Sequence, residues 1–431
     1  METTHTKSLN LQSSPVSARQ AHLIGVLHKC YALLKLRLFW ILCVTILVGL
    51  AYLIGDYYGP REIPLHEDRV WGLPCLRAKD LLVQEYDPDG NIWATRGMVT
   101  YRLSPGESKF VRQYRIPTGL SVFWFRNFSI VRRLTLRPEC AEVFPMPNGD
   151  VCAMSAGRMW HRPARGGDFE KTLTLRHYGI GVGQGIRNAG LARLEDGTIM
   201  FGEYFLNRHR RSNVRLYASC DSGRTWQVAR EFRPGQIRHI HAVQQDPYTQ
   251  KAWICTGDRD PEAMVAWTED AGKTLNPIGQ GSPVWRVCQL VFTKTAVFWG
   301  TDTGDSVVRG IYRWDRETGD MTKLVDVPGK IFYAIRLAKG TIIMSTVAGA
   351  RDDKNETTQL WVIADGEKVA KILAGTRASE RKKAKLRFQR DQGGVSLCLT
   401  CLNHKEFNDG DLIIIAEQAL RTATDRADLE S

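Results

Sequence analysis

The stretch Ser219-Cys220-Asp221-Ser222-Gly223-Arg224-Thr225-Trp226 decides the fold. It is typical of a β-turn closed by its own side chains, because an Asp carboxylate caps backbone N–H groups and Gly supplies a positive φ. The Thr hydroxyl adds a local bond to the backbone, and the Trp begins a strand with a large surface to bury. A second copy, Thr268-Glu269-Asp270-Ala271-Gly272-Lys273-Thr274-Leu275, begins 49 residues later. Two such turns, spaced by one four-stranded unit, predict a β-propeller.

A repeated unit of two apolar strands around a polar or Gly-containing turn supports this prediction. It recurs every 45–53 residues, as expected for the inner two strands of successive blades. The five copies are 141–155, 189–202, 241–257, 288–300 and 334–345. Residues 81–119 are expected to add a blade that the late strand 411–416 completes, which closes the ring and removes exposed sheet edges. We expect an all-β domain over 81–418 with six blades, and seven blades are the alternative.

The N-terminal part of the chain predicts a membrane anchor. Residues 38–55 are an uncharged apolar run that would span roughly 27 Å as a helix, enough for a bilayer core. The preceding arm, 1–37, holds five bases against one acid, so the positive-inside bias places the N terminus in the cytoplasm and the large domain outside. A cleaved signal peptide is the alternative, although its basic region would be unusually long. Residues 56–80, with three prolines, are expected to be a linker, and 419–431 a polar tail.

The formal charge of +13 favours acidic partners such as glycans, phospholipid headgroups or nucleic acid. Nucleic acid is disfavoured by the predicted side of the membrane. Seven bases fall in the run 376–390, against the single acid Glu380. Such a run is expected to be a solvated insertion in the propeller, and the alternative is a contact with anionic glycan or lipid headgroups.

The loops on one face of the ring carry the candidate substrate-binding residues. In a four-stranded blade, the start of the inner strand and the turn between strands two and three share a face, opposite the Asp-containing turns. Three successive inner strands begin beside arginines in register, Arg187, Arg238 and Arg286. Because the planar arginine fork binds carboxylates through two bonds, they predict a site for a sugar carboxylate. Their alternative role is to pair with acids of neighbouring blades. Asp302 and Arg158, at the exits of second strands, join the predicted substrate-binding set.

His239 and His241 alternate along an inner strand, so both side chains point to one side. A histidine can act as a base near neutral pH, and with Tyr204 and an arginine it could carry out β-elimination on a uronic acid. The pair could also begin a metal site with Asp258 or Glu203. A third interpretation is one hydrogen-bonded core histidine and one surface histidine. We assign these residues a catalytic role, and we expect neither a cofactor nor a bound metal.

The turns at 219–226 and 268–275 resemble the Asp-box, or bacterial neuraminidase repeat, of sialidase-like β-propellers. This resemblance implies a retaining sialidase chemistry with a Tyr nucleophile, a Glu partner and a separate Asp acid. Tyr333, at the start of a late inner strand, stands where such a Tyr is expected, whereas Trp285 and Arg286 occupy the position of the Glu. We expect an extracytoplasmic propeller that binds or processes an acidic carbohydrate, as a glycosidase or uronate lyase. The alternative is a non-catalytic glycan-binding or scaffolding propeller in surface-polysaccharide assembly.

Overall fold

The computed structural model describes residues 18–118, 128, 141–178, 185–349, 355–364, 368–380, 382–390 and 392–429. The chain divides into two units, Met1–Tyr57 and Tyr58–Ser431. The first unit is helical, and helix α1 spans Ala18–Tyr58. Its stretch Phe39–Tyr58 is long and apolar enough to cross a membrane by length and composition. Residues 1–17 of the expected basic arm lie outside the described residues.

In the second unit, the described strands form seven antiparallel sheets, the blades of a β-propeller. The alternative of seven blades is therefore confirmed. The first blade comprises β4 (Leu82–Tyr86), β5 (Ile92–Arg96), β6 (Val99–Leu103) and β7 (Lys109–Arg115), with β1 (Glu62–Pro64) paired to β7 at the outer edge. Residues 81–119 were expected to add this blade, and its four main strands lie there.

The second to sixth blades each take four consecutive strands. The second holds β8 (Glu142–Pro145), β9 (Val151–Ser155), β10 (Arg158–Arg162) and β11 (Glu170–Thr174). The third holds β12 (Leu191–Arg193), β13 (Ile199–Gly202), β14 (Val214–Ser219) and β15 (Gln227–Phe232). The fourth holds β16 (Ile240–Gln245), β17 (Ala252–Thr256), β18 (Met264–Thr268) and β19 (Asn276–Gln280). The fifth holds β20 (Val287–Phe292), β21 (Ala296–Thr301), β22 (Gly310–Asp315) and β23 (Met321–Asp326). The sixth holds β24 (Ile331–Arg336), β25 (Ile342–Thr346), β26 (Thr357–Ala364) and β27 (Lys368–Thr376).

The seventh blade is assembled from both ends of the second unit. It comprises β28 (Lys385–Phe388), β29 (Ser396–Leu402), β30 (Asp411–Ala416), β3 (Leu73–Ala78) and β2 (His66–Val70). Strand β3 pairs antiparallel with β30, and Leu76 lies opposite Ile414. The ring is thus closed by a strand that precedes the first blade. Helix α2 (Glu417–Leu429) follows β30.

Four sequence expectations differ from this arrangement. Strand β30 completes the seventh blade and not the blade formed by 81–119. The segment 56–80, expected to be a linker, supplies β1, β2 and β3. Pro64 ends β1 and Pro74 is the second residue of β3, positions that leave the sheet pairing intact. The run 376–390 contains β28, the first strand of the seventh blade, and the expected polar tail is largely helix α2.

The inner two strands of the blades form the core because each is covered on both faces by neighbouring blades. Every residue of β9, β17 and β20 is buried, as expected for strands rich in Val, Ala, Ile, Cys and aromatic residues. The outer strand β15 is largely exposed. Glutamine side chains link neighbouring inner strands: Gln84 accepts from Val143 N at 3.1 Å, and Gln244 accepts from Leu290 N at 2.7 Å. These bonds satisfy backbone groups that would otherwise be buried without a partner.

The two Asp-centred turns join the third and fourth strands of the third and fourth blades. Asp221 Oδ1 accepts from Thr225 N and from Ser219 Oγ, both at 2.8 Å. Gly223, with φ 86°, donates its N–H to Ser219 Oγ at 2.9 Å. The turn around Asp270 repeats the pattern, with a 2.8 Å bond from Thr274 N. These turns therefore stabilise the outer strands through their own side chains.

Candidate functional site

The face of the ring at which the inner strands begin is here called the mouth. In the fourth blade, β16 begins beside the end of β17, where Ile240 pairs with Thr256. Strand β18 ends at the opposite face, where Thr268 pairs with Ala252. The Asp-centred turn that follows Thr268 therefore lies on the face away from the mouth, as expected from the sequence.

The side chains of His239, His241 and Asp258, here called the histidine cluster, meet at the mouth of the fourth blade. The two Nε2 atoms lie 2.9 Å apart. Asp258 Oδ1 lies 3.0 Å from Nε2 of His241 and 3.4 Å from Nε2 of His239. Both histidines are buried, and a β-bulge between Ile240 and Ala242 lets the rings approach. The predicted convergence of the two histidines on one side is thus present.

Backbone carbonyl groups fix the orientation of both imidazole rings. Nδ1 of His239 lies 3.0 Å from the carbonyl oxygen of Phe205, and Nδ1 of His241 lies 3.2 Å from that of Val287. A carbonyl oxygen only accepts, so each Nδ1 carries the hydrogen and donates it. Burial also lowers the pKa of His239 to about 4, which keeps that ring neutral near neutral pH. The Nε2 lone pair of His239 consequently faces the centre of the cluster.

Three cations at the mouth, Arg187, Lys330 and Lys383, are here called the cation cluster, and the first and third of them lie over the ring of Phe332. The Arg187 guanidinium lies 5.2 Å and Lys383 Nζ 5.0 Å from the ring centroid. Lys330 Nζ lies 3.9 Å from Asp302 Oδ1. Burial, with the neighbouring cations, lowers the pKa of Lys383. Each cation precedes the inner strand of its blade, β12, β24 or β28, so three blades supply the cluster.

Arg187 joins the cation cluster to the histidine cluster. Its Nη1 atom donates to the Tyr204 hydroxyl at 3.5 Å, and its Nη2 atom donates to Cys288 Sγ at 3.2 Å. The Tyr204 ring lies 4.2 Å from that of His239, centroid to centroid. Cys288 Sγ in turn lies 3.4 Å from Asp302 Oδ2. The structure therefore brings together most of the residues that the sequence singled out.

Arg238 and Arg286, the other two arginines that the sequence places in register, have carboxylate partners. Arg238 binds Asp258 through its guanidinium, and Arg286 binds Asp260 Oδ1 at 2.6 Å. The second pair links the fifth blade to the fourth. Pairing with a neighbouring acid was the alternative role for these arginines. A substrate-binding role for Arg238 and Arg286 stays a prediction.

Three further predicted residues have different surroundings. Glu203 is buried within the third blade, where it accepts from Arg215 N at 2.9 Å and from the Tyr217 hydroxyl at 3.3 Å. Burial raises its pKa. Tyr333 is buried on β24 beside Phe332, in electrostatic range of Arg187. Arg158 begins β10 in the second blade. Glu203 therefore supports its own blade and does not enter the histidine cluster.

The run 376–390 contains buried residues that the sequence did not reveal. Arg387 Nη2 and Arg390 Nη1 both donate to Glu142 Oε2, each at 2.6 Å. Arg390 Nε donates to Glu85 Oε2 at 3.1 Å, and Glu85 also binds Arg193. These contacts join the seventh blade to the first, second and third. The expectation of a wholly solvated insertion is wrong for this end of the run, because the two arginines neutralise acids in the interior.

Lys330, Lys383 and Cys288 were also missed from the sequence. Lys330 and Lys383 occupy the same position before an inner strand as Arg187, so extending the register to the sixth and seventh blades would have found them. Cys288 is an inner-strand residue that looks like an ordinary small core residue. Only its contacts with Arg187 and Asp302 identify it as part of the candidate site.

The strands and the mouth together define a seven-bladed β-propeller with a cationic mouth. No protein-family profile matches the chain. An alignment of 185 positions is 25% identical to Vacuolar protein sorting/targeting protein 10 of Eremothecium gossypii, and it covers 38% of this chain and 12% of that protein's length.

Solved structures similar to this chain include the WD40 repeats of RRP9, at 12% identity over 82% of this chain and 98% of that one, with a TM-score of 0.48. The extracellular domain of a two component system, BT4673 from B. thetaiotaomicron, is 13% identical over 81% of this chain and 39% of that one, with a TM-score of 0.47. A gluconolactonase-like protein is 16% identical over 64% of this chain and 88% of that one, with a TM-score of 0.39. These similarities are too distant to indicate an activity, which is therefore argued from the residues of the mouth.

Proposed function

We propose that this chain is a membrane-anchored propeller whose mouth binds the anionic group of an acidic carbohydrate outside the cytoplasmic membrane. The observation that carries the proposal is the cation cluster of Arg187, Lys330 and Lys383. Among the described residues, Asp302 is the one carboxylate within ion-pair distance of any of them.

The charge balance of the cluster favours an anionic ligand. Three cations held close together repel one another, and a single carboxylate does not neutralise them. The Arg187 guanidinium donates to a phenol oxygen and a thiol sulfur, which are neutral near pH 7. Its planar fork therefore suits a ligand carboxylate or sulfate.

The aromatic rings of the mouth favour a sugar as the carrier of that anion. Phe332 and Tyr204 lie against the Arg187 guanidinium, at 5.2 and 4.8 Å from their centroids. Binding sites for small molecules combine such apolar and aromatic surfaces with a few placed polar groups. A uronic or sialic acid presents both an apolar ring face and a carboxylate.

Recognition is favoured over sialidase chemistry, because Glu203 is hydrogen-bonded to Arg215 and Tyr217. Among the described residues, no glutamate is hydrogen-bonded to Tyr333. The second candidate is processing of the bound sugar by β-elimination. The proximity of His239, Tyr204 and Arg187 supports it, since an arginine would neutralise the uronate while a neutral base removes a proton.

Isothermal titration of the full chain in detergent tests the proposal. Acidic hexuronate oligosaccharides and their neutral counterparts of equal length are compared. We expect binding of the acidic ligand alone. Arg187→Gln should weaken it about 10- to 100-fold, the scale of a lost hydrogen bond to a charged group. The control is Lys273→Gln, which removes the same charge from an exposed turn on the opposite face. Equal binding of the neutral sugar, or equal loss in both variants, would refute the proposal.

A further inference from the structure

The histidine cluster contains three electron-pair donors that point at one another. Nε2 of His239, Nε2 of His241 and Oδ1 of Asp258 are separated by 2.9, 3.0 and 3.4 Å. Each Nδ1 donates to a carbonyl oxygen, so a neutral imidazole has no hydrogen on Nε2. Three electron-pair donors at these distances repel one another unless a proton or a metal ion lies between them.

We infer that His239, His241 and Asp258 bind a divalent transition-metal ion, with Zn²⁺ as the best match. Imidazole nitrogen and carboxylate oxygen bind zinc at about 2.0–2.2 Å, which separates the ligand atoms of a tetrahedral site by about 3.3 Å. The three measured separations lie near this value. The inference stands apart from the proposed function, since it rests on the ligand atoms alone.

The surroundings of the three ligands are those of a metal site. Metal-binding histidines commonly donate their second ring N–H to a carbonyl or carboxylate, which fixes the ring and makes the ligand more basic. Phe205 and Val287 supply those carbonyl oxygens here. Arg238 holds the other carboxylate oxygen of Asp258, so Oδ1 is left facing the histidines. All three ligand atoms are therefore fixed by contacts outside the cluster.

A second histidine–aspartate contact in the protein lacks this arrangement of three ligand atoms. His161 Nε2 lies 2.8 Å from Asp150 Oδ2, and Arg224 also donates to that oxygen. This carboxylate faces one imidazole and one guanidinium, and no second imidazole among the described residues lies within hydrogen-bond distance of it. It is an ordinary buried pair, and His161 provides a matched control.

The mouth provides access and an open coordination position. Asp258 is 23% exposed, so an ion can reach the cluster from the mouth. The ligand atoms of His241, Cys288 and Asp302 also lie within 4.8 Å of one another, so further donors flank the cluster. Three protein ligands with an open fourth position are typical of catalytic zinc sites. Imidazole ligands favour Zn²⁺ over Mg²⁺ or Ca²⁺.

The test is zinc binding by the full chain, without a polyhistidine tag, in detergent. The protein is stripped with a chelator and titrated with Zn²⁺ alone, in competition with a chromophoric chelator. We expect one ion per chain. The double variant His239→Gln/His241→Gln should bind at least about 100-fold more weakly, and His161→Gln should bind as the unaltered chain does. Zinc binding that survives the double substitution would overturn the inference.

Asp258→Asn and cobalt spectroscopy keep the inference testable if the double variant does not fold. Asp258→Asn should lower zinc affinity about 10- to 100-fold. The unaltered chain loaded with Co²⁺ should show the intense visible absorption of a four- or five-coordinate ion, whereas the weak spectrum of octahedral Co²⁺ would overturn the site. No sugar is present in these measurements, so their failure and that of the proposed function are distinguishable.

Discussion

The Arg390 guanidinium lies 2.6 Å from the Glu142 carboxylate, although the two residues are 248 positions apart in the chain. Both are buried, and Arg387 donates to the same oxygen. Glu142 begins the inner strand of the second blade, and the arginines belong to the seventh. One carboxylate thus holds two cations at a place where separate blades meet.

Glu142→Gln should therefore lower the free energy of unfolding by about 3–5 kcal/mol, because it removes the buried carboxylate that two guanidinium groups share. Urea denaturation measures the change. The control is Glu231→Gln, whose pair with Arg215 lies at the surface with Glu231 36% exposed, and it should cost less than about 1 kcal/mol. Similar losses in both variants would contradict a stabilising role of the interior contact.

Asp221→Ala should destabilise the fold by on the order of 1 kcal/mol, by analogy with lost helix caps. The substitution removes the acceptor for Thr225 N and Ser219 Oγ on the face opposite the mouth. Affinity for acidic sugar should stay unchanged. Asp320→Ala is the control, since its exposed carboxylate has no hydrogen-bond donor among the described residues. Unaltered stability of Asp221→Ala would mean that the turn does not depend on its Asp.

Arg286→Gln should separate the two roles predicted for the arginine column. The pair that Arg286 forms with Asp260 is partly exposed, so its loss should cost about 1 kcal/mol or less. Sugar affinity should remain that of the unaltered chain, in contrast to Arg187→Gln. Denaturation and titration of the same two variants give the comparison. A large loss of affinity in Arg286→Gln would return this arginine to the binding site.

His404 should make stability depend on pH. It is buried and lies 2.9 Å from Thr358 Oγ1, and burial lowers its pKa from 6.5 to about 4. Between these two pH values the unfolded chain binds more protons than the folded chain. The stability that neutral His404 contributes is therefore complete above about pH 6.5 and is lost as the pH falls toward about 4. The loss should reach about 3 kcal/mol.

Urea denaturation at about pH 7.5 and about pH 4.5 tests the His404 prediction, because it gives the change in the free energy of unfolding between the two conditions. His404→Gln should reduce the difference between the two conditions. His66→Gln, which changes an exposed histidine, should leave it as in the unaltered chain. An equal change in the free energy of unfolding in all three chains would show that His404 does not contribute to the pH dependence of stability.

A reporter that works only in the cytoplasm should be silent when it is fused after Ser431 and active when it precedes Met1. The reason is the five-to-one ratio of bases to acids before residue 38. Reporter activity in cells, compared at equal expression, is the measurement. The reverse pattern would place the propeller in the cytoplasm and remove acidic surface glycans from consideration.

The hairpins of the second to sixth blades were predictable from the sequence because each is local. Apolar strands flank a turn such as Asn148-Gly149 or Asp196-Gly197, and all five units are inner strand pairs in the structure. The seventh blade escaped detection because β3 joins it from the other end of the domain. Its first strand, β28, also lies inside a run that reads as solvated surface.

The candidate site divides in the same way. The shared position of Arg187, Arg238 and Arg286 was evident from their spacing, but their partners depend on the distance between side chains of different blades. The histidine pair was found because alternation places both rings on one side. The carbonyl groups that orient those rings come from Phe205 and Val287, and no sequence pattern reports such contacts.

The pairing of β3 with β30 has a consequence for biosynthesis. Arg77 and Asp411, which bind each other across these strands, are 334 residues apart. At 5–20 residues per second, a ribosome delivers the second partner roughly 20–70 s after the first. During that interval the nascent chain holds an open ring with an unpaired strand edge, which is a template for association with other chains. Cellular chaperones and proteases therefore encounter this protein as an open ring until the residues up to Ala416 have been synthesised.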